Sequence, residues 1–139
     1  MNQTAIFWPM ICHALLVFCV YALISTRRKQ AVKAGSAKVS QFRENQVEPP
    51  ESLFARNNLA NQFELPVLFH VVCLALYVTN GAGVVPLVLA WVFTLSRYAH
   101  AYVHVTSNRI RHRQPLFLTG FISVGILWLW LALHLLGLV

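Results

Sequence analysis

Residues Arg56 to Thr79 read RNNLANQFELPVLFHVVCLALYVT. The second half is an apolar run from Leu65 to Thr79; the first is polar and meets that run at Glu64. The apolar run alone is too short for a hydrocarbon core of ~30 Å, which takes about twenty helical residues. Extended backwards through the polar half it is long enough, and Glu64 then lies at membrane depth. A carboxylate there costs several kcal/mol, so it normally faces a partner or a water-filled site. This stretch therefore predicts a membrane-spanning helix whose polar end carries the chemistry.

Three further apolar blocks flank it, from Ala5 to Ser25, Val84 to Ser96 and Leu116 to Val139. The first and last span a bilayer unaided, and the block from Val84 continues into a polar extension as Leu65 to Thr79 does. Only 11% of the 139 residues are charged, against roughly 25% in soluble domains. The expected fold is all-α: an integral membrane four-helix bundle in a single domain over residues 1–139, with helices about 5–26, 51–79, 84–108 and 115–138. Pro49-Pro50 followed by Glu51-Ser52 suits a helix start. Pro66 should kink the second helix and free a carbonyl one turn earlier, near Gln62.

Charge sets the orientation. Arg27, Arg28, Lys29, Lys33, Lys38 and Arg43 lie between the first two helices, and Arg109, Arg111 and Arg113 between the last two. The connection from Asn80 to Gly83 has no charge. By the positive-inside rule both basic loops are expected in the cytoplasm, with both termini across the membrane. In the first block the positive charges follow the apolar run and no small-x-small cleavage pattern stands out, so that block is expected to be a retained helix. The net charge of +7 is an orientation and headgroup signal. Nucleic-acid binding needs basic and aromatic residues on one folded surface, which nothing here supplies. Cys12, Cys19 and Cys73 lie within membrane blocks without metal-ligand spacing and read as small packing residues.

Two of these helices share a polar layer. Glu64 lies fifteen residues before Thr79, and Arg97 fourteen after Gly83. At 1.5 Å per residue both sit about 20–23 Å from the same membrane face. An ion pair or a shared ligand is then possible. Asn57, Asn61 and Glu64 fall on one face of the second helix. On the third, Arg97, His100, His104 and Arg111 form one stripe, and Tyr98, Tyr102 and Arg109 a second beside it. Carboxylate, amides, phenols and guanidinium forks together suit a small zwitterion. Plainer readings stand beside this one: a Glu64–Arg97 pair that only fixes register, a snorkelling Arg97, and tyrosines serving as an aromatic belt. His100 and His104 at i, i+4, with Glu64, form a weak metal motif. His13, His70 and His134 read as hydrogen-bonded core or interface residues.

Four pieces of this sequence carry a family likeness: Ser25-Thr26-Arg27-Arg28, Asn61-Gln62-Phe63-Glu64, Arg97-Tyr98-Ala99-His100-Ala101-Tyr102, and Arg109 seven residues after Tyr102. Together with the four helices and basic loops they resemble the MAPEG family, the membrane-associated proteins of eicosanoid and glutathione metabolism. The short chain is more similar to a bacterial branch, which implies a multi-pass protein of the bacterial inner membrane. The resemblance implies a homotrimer with glutathione as co-substrate between subunits and a lipophilic electrophile or hydroperoxide arriving from the membrane lipids. It implies a glutathione-dependent transferase or peroxidase. Asn61 and Glu64 would hold the γ-glutamyl end, Arg27 or Arg28 would reach in from a neighbour, Tyr98 and Tyr102 would line the site beside Arg97, and Arg109 would activate the thiol. Four residues before Asn61, family members with glutathione chemistry usually carry arginine; here Asn57 stands there and the arginine is Arg56, about 100° round the helix. That departure leaves a second reading open, a non-catalytic member of the same fold binding a lipid headgroup or small anion.

Overall fold

The computed structural model describes residues 2–44 and 47–139. A short 3-10 turn, Gln3–Ile6, leads into α1 (Phe7–Lys33), followed by α2 (Val39–Arg43), α3 (Pro50–Asn61), α4 (Leu65–Val78), α5 (Val84–Val105) and α6 (Ile110–Leu135). Four stretches are long and apolar enough to cross a membrane: Gln3–Lys33, Pro50–Val78, Val84–Val105 and Ile110–Leu135. The chain is an all-α, multi-pass integral membrane protein.

Its helices begin and end differently from the simplest reading of the sequence. The first runs past Ser25 through the basic cluster, because Gln30, Ala31 and Lys33 are good helix formers. It stops where Gly35 takes φ +77°. There the Gly35 amide donates to Val32 O and that of Ser36 to Ala31 O, a Schellman ending. The fourth helix starts at Ile110, five residues before the expected Pro115. A proline this close to a helix start removes one main-chain bond only, and Arg111, whose carbonyl loses its donor, is exposed.

The second span departs most. A kink was expected at Pro66; the helix is instead interrupted over residues 62–64. Glu64 lies outside the helical region at φ −94°, ψ −101°. Pro66 then falls in the first turn of α4, where an absent N–H costs nothing. At the far end of α4, Asn80 takes φ +60°, and the amides of Asn80 and Gly81 donate to Tyr77 O and Leu76 O. That turn reverses the chain into α5, making α4 and α5 antiparallel. Gln3 ties the N-terminus to it, accepting from the Ala82 amide at 2.8 Å and donating to Asn80 O.

α5 and α6 form the most extensive helix pair. A Cβ at Gly120 would lie 2.9 Å from Ser96 Oγ, so the glycine permits the close approach typical of membrane helices. Away from the basic loops, Phe69, Val72, Leu76, Phe93 and Leu127 build one apolar core, with Phe69 and Phe93 stacked at 4.1 Å. Nearer the basic loops, Leu16, Val20, Ile24, Ala55 and Ala101 build a second. A polar layer is interleaved with them.

Candidate functional site

The interruption of the second span creates this layer. With no helical residue following Asn61 in register, its main-chain oxygen has no N–H to accept from, and Arg97 Nη2 donates to it at 3.0 Å. The freed carbonyl is thus one residue earlier than expected. Arg97 is wholly buried, and its Nε and Nη1 have no hydrogen-bond partner. The guanidinium lies 6.0 Å from the Phe117 ring centre. Asn61 and Phe117 are both walls of a cavity of about 370 Å³, completed by His100, Ile110, Arg113 and Gln114. His100 Nδ1 is likewise buried without a partner. Among the described residues no acidic side chain lines the cavity, whereas Arg113 lines it and Arg97 lies just behind its wall. Such a chamber suits a small molecule bearing an anionic group, and its size is that of ordinary small-molecule sites.

Behind the cavity runs a chain of largely buried hydrogen bonds that links three spans. His70 Nε2 meets His13 Nδ1 at 3.1 Å, and His13 Nε2 meets Gln62 Oε1 at 3.1 Å. Gln62 Nε2 donates to Asn58 Oδ1 at 3.1 Å, and Asn58 Nδ2 meets His104 Nδ1 at 3.3 Å. The amide oxygen of Gln62 can only accept, so His13 Nε2 carries the proton and His13 Nδ1 accepts from His70. By the same logic His104 Nδ1 accepts from Asn58. Every bond points from His70 towards His104, which stands edge-on to His100 at 5.6 Å between ring centres.

The residues singled out from the sequence divide between several places. Asn61 is on the cavity, its side-chain amide donating to Asn57 O at 3.1 Å. Glu64 is exposed. It forms no ion pair with Arg97; the ion pairs among the described residues are Arg28–Glu48 and Arg43–Glu44. The shared depth of Glu64 and Arg97 therefore brings proximity without contact, because the break at 62–64 turns the carboxylate outward. Tyr98 donates to Cys12 O at 2.8 Å, and Tyr102 is exposed. Both border a groove between α1 and α5, about 200° round the helix from His100. Arg27 Nη2 donates to Val105 O at 2.8 Å, closing the C-terminal end of α5, where a cation also meets the negative end of the helix dipole. Arg28 grips Glu48 with two bonds of 2.8 and 2.6 Å and lies over the Phe42 ring. The hydrogen bonds from Arg28, and then Ser52, hold the Glu48 carboxyl below its ordinary pKa. Arg109 is exposed at the N-cap of α6.

Reading the sequence alone missed Arg113 and Gln114 as lining residues, and gave His100 to the polar stripe with Arg97 and to a weak metal motif. Placing the fourth helix at Pro115 left Arg113 in a loop. Had the helix been started at Ile110, Arg113 would have fallen one turn after Arg109 on the same face. Among the described residues no three His, Cys, Asp or Glu side chains gather as a metal site.

Fold and layer together define a four-span membrane protein with a cationic chamber at one end of its bundle. A model of the MAPEG family matches residues 5–133, nearly the whole chain, and the protein belongs to that family. Comparison with curated proteins and with solved structures gave no match.

Proposed function

We propose that the protein is a glutathione-dependent membrane transferase or peroxidase acting on lipophilic substrates, with glutathione bound in the cavity between α3, α5 and α6. The observation that carries this reading is Arg97: a guanidinium at 0% exposure with two nitrogens unpartnered, directly behind a cavity without an acid. A buried, unpaired cation is costly, and a carboxylate or thiolate in the chamber would compensate it. Arg113, Asn61 and Gln114 would bind the tripeptide's polar groups. A free thiol has a pKa of about 8.5, and adjacent guanidinium groups favour the thiolate. The family likeness nominates Arg109 for that role; Arg113, one turn further on, is the arginine on the cavity.

The sulfur lone pair would then attack an electrophilic carbon, forming the S–C bond while the displaced electron pair leaves with the departing group. With a hydroperoxide, two thiols would be oxidised to a disulfide as the O–O bond is reduced to alcohol and water. Tyr98, Tyr102, Arg27 and Arg28 lie away from this chamber within one protomer. A site containing them together with Asn61 requires a second copy, in keeping with a homotrimer whose site is shared at the seam.

Isothermal titration of the detergent-solubilised protein with glutathione tests the reading. Saturable heat at millimolar glutathione, lost in Arg113→Ala, is expected. Absence of heat in the intact trimer would leave a non-catalytic member of the fold.

A further inference from the structure

On the basic side of the bundle, a groove of about 510 Å³ lies between the end of α1 and the short helix α2. Within one protomer it is separate from the cavity of α3, α5 and α6 and shares no lining residue with it. Its floor is one stripe of α1, with Tyr21, Ile24, Arg28, Lys29 and Lys33 recurring at helical spacing. Along that stripe the chemistry changes from apolar to cationic just where the span leaves the hydrocarbon. Phe42 of α2 closes the opposite side. Arg28 is committed to Glu48. Lys29 and Lys33 are exposed and form no ion pair among the described residues.

We infer that this groove is a binding site for one anionic phospholipid, its phosphate held by Lys29 and Lys33 and the start of an acyl chain laid along Tyr21. Three features select that occupant over a soluble anion. The two ammonium groups are uncompensated, so the rim has the charge an anionic headgroup lacks. The apolar floor is continuous with the membrane-embedded face of α1, with Tyr21 49% exposed, so a chain can stay in the bilayer while its headgroup is held. Basic residues at a span's end also sit where anionic lipids accumulate, and their long stems cover apolar surface while the charge stays at the headgroup level.

The test uses the full-length protein in neutral detergent, with lipids retained on it counted by native mass spectrometry. Dioleoyl phosphatidylglycerol should be retained at least fivefold more than dioleoyl phosphatidylcholine at equal mole fraction. Lys29→Gln with Lys33→Gln should bring the ratio below twofold while leaving the thermal midpoint within a few degrees, since both side chains are exposed. Should that double variant unfold, Val39→Glu, at a position 70% exposed on the same groove, should lower the ratio by repelling the headgroup. Equal retention of the two lipids, or a preference surviving both variants, overturns the site. Displacement of the lipid by millimolar inorganic phosphate makes it a free-anion site and overturns it equally. Glutathione heats should be unchanged in all these variants, which separates this site from the cavity.

Discussion

Arg97 Nη2 hydrogen-bonds the main-chain oxygen of Asn61 at 3.0 Å, so the one arginine wholly buried among the described residues is held by backbone and not by an acid. The contact exists because the second span is broken between Asn61 and Leu65. A continuous helix would give that oxygen to the amide four residues on. One break thus supplies an acceptor for the cation, turns Glu64 outward, and leaves the remaining guanidinium nitrogens for a ligand.

If those nitrogens serve a ligand, Arg97→Met should weaken glutathione binding at least tenfold, about 1.4 kcal/mol. Replacing a buried charge with an apolar chain of similar length is often neutral for the fold, so the ligand-free midpoint should move by only a few degrees. Scanning fluorimetry with and without glutathione checks both. A collapse of the ligand-free midpoint with binding intact would make Arg97 a staple only.

The two arginines at the start of α6 should separate by kinetics. Arg113→Ala is expected to lose glutathione binding by tenfold or more, since its side chain lines the cavity. Arg109→Ala should keep binding and raise the pH at which thiolate absorbance appears by about one unit, equivalent to ~1.4 kcal/mol. An unchanged profile in Arg109→Ala assigns thiol activation to Arg113.

Gln62→Met should destabilise the protein by about 2–3 kcal/mol, because it leaves His13 Nε2 and Asn58 Oδ1 buried without partners. Unfolding in a denaturing detergent titration reads this directly. His13→Phe, which removes one partner of Gln62 and also the His70 contact, should be non-additive with it, as expected within one network.

Acid should loosen the segment around α2. The Glu48 carboxyl is held below its ordinary pKa chiefly by Arg28, so the folded state binds fewer protons there than the unfolded state. That stabilisation is fully present above the unfolded carboxylate pKa and is lost as pH falls through the lower, folded value. Hydrogen exchange of residues 36–44 and 47–52, corrected for its intrinsic pH dependence, should show protection falling over that acid range. In Glu48→Gln protection should be lower throughout and flat.

Much of this architecture is legible in the residues. Apolar length fixes the four spans, because a bilayer imposes one dimension on every helix. The depth of Arg97 follows from counting along α5, and its importance from its rarity. What residue spacing does not reveal is direction at a break. Continuous helical geometry put Glu64 on the face of Asn57 and Asn61, and three non-helical residues sufficed to turn it away. The buried chain through Gln62 and Asn58 was hidden for another reason: neutral amides inside a polar-looking segment give no charge signal, and their partners, His13 and His104, come from distant spans.

Arg27 reaches Val105 O across 78 positions of sequence. During synthesis the first span is threaded into the bilayer long before the third exists, so this guanidinium must stay among water and headgroups until α5 arrives. The latch can therefore close only after the first and third spans have met, and in the finished bundle it pins the root of the basic loop to the far end of α5.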